Sequence, residues 1–269
     1  MATEAQPLRL LGRPWRRHKP VRLGGAAAIG CSLLLGCVGR TENCVGNCVE
    51  LQPRPGVTES VQFAAAPSPT ASVVLFVGGD GVVAHVPGNF LLRVRSRFVE
   101  QGISVALFDA PSDQSAGMST AYRTGASQAQ DVAAVVRLLK SKADVPVWLI
   151  GTSRGSVSAA SAAARLSPQQ VSGVVLTSTV WSGTSSALGQ IAVPTLIVHN
   201  RDDGCSLSRF SGAEAALAQL TRAPAKELLA VSGGSLHGNP CDALSPHGYY
   251  QVEDKVVPSI IAWINSHRQ

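Results

Sequence analysis

One serine in this chain lies in a pattern typical of an activated nucleophile. Ser153 stands in the segment Gly151-Thr152-Ser153-Arg154-Gly155, which matches G-x-S-x-G. An apolar run precedes this segment and an alanine-rich stretch follows it, so the pattern predicts a strand, a sharp turn and a helix. The glycines leave room for a strained turn that exposes the serine hydroxyl at the helix N-terminus. The alternative is a glycine turn with an incidental serine.

A nucleophilic serine needs a base and an acid that orients the base. The apolar run PTLIVHN is followed by two carboxylates, Asp202 and Asp203, and two histidines, His237 and His247, come later in the chain. For a G-x-S-x-G serine the partners follow in the order acid, then histidine. Either carboxylate and either histidine satisfy this order, whereas His199 precedes the acid and is interpreted as a structural residue.

Strands and helices alternate along the rest of the chain. The periodicity predicts strands over 72–77, 103–108, 146–150, 171–176, 194–198 and 225–231, and helices over 89–101, 126–140, 156–166, 207–220 and 252–265. Nearly all-apolar strands that alternate with helices predict an α/β fold, with a mostly parallel sheet covered on both faces.

With these motifs in this order, residues 57–267 resemble the α/β-hydrolases, close to the dienelactone-hydrolase-like proteins and small esterases. In such families the acid strand is often followed by His-Gly-x-x-Asp, and the last Asp belongs to the catalytic triad. Here Asn200 takes the glycine position and Asp203 the acid position, with Asp202 as the fallback. The resemblance implies an α/β-hydrolase fold and a serine hydrolase that cleaves a carboxylic ester or related acyl bond.

Such hydrolases often insert a cap domain between the strands that here end at 176 and begin at 194. Few residues separate these strands, so the resemblance implies a minimal cap and an open site lined by Thr177, Trp181 and the 109–113 loop.

The same resemblance bears on the base and on the oxyanion hole. The family histidine commonly lies in a His-Gly-aromatic context at the start of the last helix, which favours His247 over His237. The two backbone N–H groups of an oxyanion hole fall on Arg154, after the nucleophile, and on Gly79, after the first predicted strand. Val77 stands where many relatives have histidine, which leaves the second donor open.

The resemblance implies a small-molecule ester or acyl substrate, no cofactor and no metal. A different function is a non-catalytic envelope lipoprotein that uses the fold as a binding scaffold. The complete Ser153, Asp203 and His247 set argues against that alternative.

The net charge of +6 on 269 residues is concentrated at the N-terminus. Residues 1–36 contain six Lys/Arg and one acid, so the remaining chain carries 17 basic and 16 acidic residues. A nearly neutral body lacks the basic surface expected of a nucleic-acid-binding protein.

The basic N-terminus leads into an uncharged, mostly apolar stretch over 23–36, too short to span a bilayer. This pattern predicts a signal peptide over 1–36. It ends in Leu-Leu-Gly-Cys, which resembles a bacterial lipobox with Cys37 as the lipidated residue; Cys31 is a weaker second candidate. We therefore expect a tether over 37–56, a hydrolase domain over 57–269, and a location in the bacterial cell envelope, periplasmic or anchored to the membrane by lipid. Ordinary cleavage without lipidation is the alternative.

Export changes the interpretation of the cysteines. Cys44, Cys48, Cys205 and Cys241 remain once Cys31 is removed with the leader and Cys37 is assigned to lipid. An even number in an oxidising compartment predicts disulfides, with free thiols as the alternative. A Cys205–Cys241 bridge would join the acid loop to the histidine loop.

Overall fold

The structure, a computed structural model, describes residues 47–268. Within this range eight strands form one sheet: β1 (Cys48–Arg54), β2 (Val57–Ala64), β3 (Ala71–Phe76), β4 (Ile103–Phe108), β5 (Val147–Thr152), β6 (Gly173–Thr177), β7 (Thr195–Asn200) and β8 (Lys226–Val231). The helices of the same range are α1 (Phe90–Glu100), α2 (Thr120–Arg123), α3 (Ala126–Lys142), α4 (Gly155–Arg165), α5 (Trp181–Leu188), α6 (Ser211–Gln219) and α7 (Glu253–Ser266). None of them is long and apolar enough to cross a membrane.

The sheet is parallel except at one edge. Its strand order is β1-β2-β4-β3-β5-β6-β7-β8, and only the β1–β2 and β2–β4 pairs are antiparallel. Every residue of β3, β4, β5, β6 and β7 is buried. The predicted mostly parallel sheet with helices on both faces is therefore confirmed.

Alternate residues of each central strand enter separate core layers. On β3, Val74 and Phe76 pack in the layer formed with α3, α4, α5 and α6. Val73 and Leu75 pack in the opposite layer, formed with α1 and α7. The only helix between β6 and β7 is α5, which is the minimal cap that the sequence predicts.

The antiparallel edge corrects the predicted tether. Residues 48–54 were expected to lie in a tether that ends at residue 56, but they form β1, paired to β2 through a turn at Pro55 and Gly56. Gly56 has a φ of +71°, which suits a tight turn. β1 is half exposed and mostly polar, so it lacks the apolar run by which the inner strands were predicted.

The candidate site residues of the described range lie beyond the carboxyl ends of parallel strands. Ser153 follows β5, Asp203 follows β7, and His247 lies in a 3-10 turn between β8 and α7. The predicted signal peptide, Cys31, Cys37 and Cys44 lie outside the described residues.

Candidate active site

Ser153 occupies a strained turn between β5 and α4. Its φ is +52°, in the left-handed region that non-glycine residues rarely adopt. A Cβ added at Gly151 would lie 2.3 Å from the carbonyl oxygen of Gly155, and one added at Gly155 would lie 2.1 Å from that of Phe76. Both positions therefore require glycine, and the close packing they permit holds the serine in this conformation.

Ser153 is connected to His247 and Asp203 by two hydrogen bonds. The Oγ of Ser153 lies 2.9 Å from Nε2 of His247, and Nδ1 of His247 lies 2.9 Å from Oδ2 of Asp203. His247 and Asp203 are both buried. Since Nδ1 faces the carboxylate, we assign the imidazole proton to Nδ1, which leaves Nε2 free to accept the serine proton.

The two other candidates for acid and base lie away from the serine. Asp202 is exposed, and its Oδ2 accepts a hydrogen bond from the N–H of Gly233 at 2.7 Å. His237 is exposed, and its ring packs edge-on against Tyr250 at 5.3 Å between centroids. The structure thus brings Asp203 and His247 to the serine and does not bring Asp202 or His237.

Two residues next to the acid were not predicted to contribute. The buried hydroxyl of Ser208 donates to Oδ2 of Asp203 at 2.8 Å and lies 2.9 Å from Nδ1 of His247. His199 is fully buried, and its Nε2 lies 2.5 Å from the carbonyl oxygen of Ser208. Burial lowers the pKa of His199, so the neutral ring donates to this carbonyl and fixes the backbone of Ser208. Ser208 belongs to no sequence motif, whereas His199 stands at the histidine position of the His-Gly-x-x-Asp pattern.

The histidine loop is held to the ends of β6 and β7. Ser178 Oγ donates to the carbonyl oxygen of His247 at 2.6 Å, and the Ser178 N–H donates to the Tyr249 hydroxyl at 2.9 Å. Asn200 Nδ2 donates to the carbonyl oxygens of Gly233 and Pro246. The side chain at position 200, where the resembling families have glycine, therefore anchors the loop that carries the base.

The two predicted oxyanion donors border the nucleophile. A Cβ added at Gly78 would lie 3.0 Å from the Cβ of Ser153, so the Gly78-Gly79 turn lies directly against the serine. The N–H groups of Gly79 and Arg154 donate no hydrogen bond within residues 47–268. Both donors are therefore available to a ligand.

A cleft of about 350 Å³ opens over the serine. It is lined by residues 78–79, 85–90 and 241–243, together with Ser153 and His247. Thr177 and Trp181 were expected to line the site, but they lie elsewhere. Thr177 donates to the carbonyl oxygen of Gly151 inside the sheet, and Trp181 stacks on His199.

The predicted disulfide between Cys205 and Cys241 is present. The N–H of Cys205 donates to Oδ1 of Asp203 at 2.9 Å, and Cys241 lines the cleft. The bridge therefore connects the acid loop to the histidine loop. Cys48 is also disulfide-bonded, but Cys44, the other early disulfide candidate, lies outside the described residues.

Within the described range, no group of three or more His, Cys, Asp or Glu is arranged to hold a metal ion. The arrangement of Ser153, His247 and Asp203 provides a nucleophile, a base and an orienting carboxylate, which is the set required for acyl transfer.

Comparison with solved structures identifies the fold. No protein-family model matches the chain, and no curated protein matches it. An esterase from Pyrococcus furiosus matches at 15% identity and a TM-score of 0.63, over 83% of this chain and 91% of that one. Dienelactone hydrolase from Anabaena variabilis matches at 19% identity and a TM-score of 0.63, over 83% and 98%. An α/β serine hydrolase homologue from Coxiella burnetii matches at 18% identity and a TM-score of 0.58, over 82% and 96%.

The chain has the α/β-hydrolase fold. In this fold the nucleophile stands on a sharp strand-to-helix turn, where Ser153 is found. The acid and the histidine follow the nucleophile in the chain, as Asp203 and His247 follow Ser153 here.

Proposed function

We propose that this protein is an exported serine hydrolase that cleaves a carboxylic ester or a related acyl bond of a small molecule. The observation that carries the proposal is the hydrogen-bonded series from Ser153 Oγ through His247 to Asp203, with both distances at 2.9 Å. The solved structures of the same fold described above include an esterase and a dienelactone hydrolase, which supports the same substrate class.

In the acylation step, Ser153 Oγ attacks the carbonyl carbon of the substrate while His247 Nε2 accepts the hydroxyl proton. The tetrahedral intermediate places its negative oxygen near the N–H groups of Gly79 and Arg154. Asp203 stays ionised and stabilises the imidazolium through Nδ1. Collapse of the intermediate breaks the bond to the alcohol, which leaves with the proton from His247.

Deacylation repeats the same proton transfers with water. His247 Nε2 takes a proton from a water molecule that attacks the acyl-serine ester. The second tetrahedral intermediate uses the same two N–H donors, and its collapse releases the carboxylic acid and returns the proton to Ser153 Oγ.

Labelling with a fluorophosphonate probe tests this proposal. We expect the probe to label the wild-type protein and to fail on the Ser153→Ala variant, which should also lose hydrolysis of aryl esters by about a thousandfold or more. Ser185→Ala is a matched control, because Ser185 is exposed on α5. Absence of labelling in the wild type, or near-normal turnover by Ser153→Ala, would contradict the hydrolase function and favour a binding scaffold. If labelling depends on Ser153, a series of short- and long-chain aryl esters defines the acyl group that the enzyme prefers.

We further propose that the protein resides in the bacterial cell envelope and is attached to the membrane through lipid on Cys37. The basic N-terminus, the apolar stretch that follows it and the Leu-Leu-Gly-Cys segment support this location. The Cys205–Cys241 disulfide also supports it, because disulfides persist in oxidising compartments.

A further inference from the structure

Arg123 is a buried cation close to the candidate site that the proposed mechanism does not use. Its side chain is fully buried. Its guanidinium donates to the carbonyl oxygen of Met118 at 3.3 Å, to Ser158 Oγ at 2.9 Å and to the carbonyl oxygen of Gly79 at 3.3 Å. All three acceptors are neutral. Burial lowers the pKa of Arg123 to about 10, so the side chain remains charged at neutral pH.

A buried charge without a bonded counter-charge is unfavourable for folding. Asp80 and Arg154 are the charged side chains of the described range whose fields act most on Arg123, and they act in opposite directions. Asp80 is itself engaged by His85, whose Nδ1 lies 2.6 Å from Asp80 Oδ2. The positive charge of Arg123 is therefore not neutralised by a hydrogen-bonded anion, and it lies next to the carbonyl oxygen of Gly79.

The glycine loop after β3 lies directly on Arg123. A Cβ added at Gly81 would lie 2.6 Å from Nη2 of Arg123 and 2.1 Å from Cε of Met118. The N–H of Met118 donates to the carbonyl oxygen of Asp80 at 2.7 Å. Gly79 and Gly81 both have positive φ, a conformation that glycine adopts without strain but does not prefer over others. Contacts with the 118–123 segment therefore help to fix the conformation of this loop.

Arg123 also contacts the element that begins at the nucleophile. Ser158 lies in the first turn and a half of α4, which starts two residues after Ser153. A single guanidinium therefore connects α4 to the carbonyl of Gly79. These two elements carry the two candidate oxyanion donors, the N–H groups of Arg154 and Gly79.

We propose that Arg123 is a positioning residue for acyl transfer, which fixes the Gly79 turn relative to α4 and adds positive potential where the oxyanion forms. The inference rests on the proposed hydrolase function. Preorganised donors and charges stabilise a transition state because they need no reorganisation when negative charge develops. A residue that acts in this way should affect the rate of the chemical step more than the binding of the substrate.

Steady-state kinetics on an aryl ester can test this role. We expect Arg123→Met to lower kcat by about tenfold or more while KM stays within about threefold, since loss of a transition-state interaction lowers kcat. Arg123→Lys keeps the charge but cannot bridge Ser158 and Gly79, so we expect a kcat between those of the wild type and the Met variant. The rate constant for labelling by a fluorophosphonate should fall in the same order.

Arg165→Met is the matched control. Arg165 lies on α4 and donates to the carbonyl oxygen of Thr124, which follows α2, but it is more exposed and does not contact the glycine loop. We expect this variant to keep the wild-type kcat. An equal loss of kcat in Arg123→Met and Arg165→Met, or a loss confined to KM, would overturn the proposal and assign Arg123 to folding alone.

If Arg123→Met fails to fold, the Lys variant decides, and a wild-type kcat in that variant would overturn the proposal. Failure of the hydrolase function itself would be recognised separately, because the wild-type protein would then show no labelling that depends on Ser153.

Discussion

The carboxylate of Asp203 accepts hydrogen bonds on both oxygens. Oδ1 accepts from the N–H of Cys205, and Oδ2 accepts from Ser208 Oγ and faces Nδ1 of His247. Such donors replace the hydrogen bonds to water that a carboxylate loses when it is buried. The acid is thereby fixed in position by its own loop, and its remaining interaction is directed at the base.

At the same scale, we expect alanine substitutions of His247 and His237 to have different effects on ester hydrolysis. We expect His247→Ala to lose ester hydrolysis about as severely as Ser153→Ala, by about a thousandfold or more, since residues that act as a unit give similar losses. His237→Ala should stay near the wild-type rate because His237 is exposed and its ring packs against Tyr250, away from Ser153. Initial rates on one aryl ester measure both, and the reverse ranking would move the base to His237.

The sequence could identify Ser153 because a strand, two glycines and a helix surround it in a short local pattern. Asp203 and His247 could be proposed from chain order and from the resemblance, although each had a competing neighbour. Ser208 and Arg123 could not be found in this way. Their roles depend on hydrogen bonds between segments distant in the chain, which no local spacing encodes.

At the scale of elements, the acid loop and the histidine loop are held together covalently by Cys205–Cys241, which closes a separation of 36 residues. Asn200 holds the same histidine loop through hydrogen bonds to Gly233 and Pro246. The disulfide thus adds a covalent constraint to loops that are already docked on the sheet.

We expect the Cys205→Ala, Cys241→Ala double variant to lose about 2–4 kcal/mol of unfolding free energy, the usual range for a native disulfide. Its kcat should also fall, because Cys205 adjoins the acid and Cys241 lines the cleft. Urea unfolding and aryl-ester kinetics measure the two effects. Reductant alone is a poorer test, since Cys48 is also disulfide-bonded. Peptide mapping without reduction checks the pairing, and free thiols at both positions would contradict it.

The hairpin of β1 and β2 buries an acid that has no part in the site. Glu59 is almost fully buried, and neither carboxylate oxygen has a hydrogen-bond partner within residues 47–268. Burial, reinforced by Asp131 and Asp109, raises the pKa of Glu59 well above its usual range. The folded protein therefore keeps Glu59 protonated at pH values where the unfolded chain has already released the proton.

This difference predicts how stability depends on pH. Because the folded state binds the extra proton, the contribution of Glu59 to stability is fully present below the ordinary pKa of a glutamate and is lost as pH rises toward the folded pKa, by at most about 1.4 kcal/mol per pH unit. Glu59→Gln should remove this decline. Urea unfolding at pH 5 and pH 8 measures it, with Glu227→Gln as the control because Glu227 is exposed on β8. Equal declines in the wild type and in Glu59→Gln would contradict the prediction.

The hairpin of β1 and β2 is the part of the sheet that the sequence did not predict. The inner strands could be predicted because burial on both faces demands continuous apolar runs, as in Ile103–Phe108, whose bounds agree with the structure. β1 lies at the edge and alternates exposed with half-buried residues, and β2 next to it has a mixed pattern in which Glu59 is buried. The polar residues of β1 suggested a tether, and those of β2 hid a strand at the start of the predicted hydrolase domain.

At the scale of the whole molecule, the net charge is concentrated near the N-terminus of the chain. Nearly all of the net charge of +6 belongs to residues 1–36, and the remaining residues are close to neutral. Such a body gives little electrostatic attraction to an anionic membrane. Stable membrane attachment of the hydrolase domain would then depend on a covalent lipid anchor and not on the surface of the domain.

We therefore expect the mature protein to partition into the membrane fraction of a bacterial host, and Cys37→Ser to move it out of that fraction or to leave it uncleaved. One acyl chain gives only weak, reversible attachment, whereas a lipoprotein cysteine carries several, so the wild-type attachment should resist a salt wash. Cys31→Ser is the matched control and should keep the wild-type distribution. Fractionation followed by mass spectrometry of the N-terminal peptide provides the measurement. A Cys37→Ser protein that matures and fractionates like the wild type would refute the anchor while leaving the proposed chemistry of Ser153 untouched, because hydrolysis requires only the folded domain.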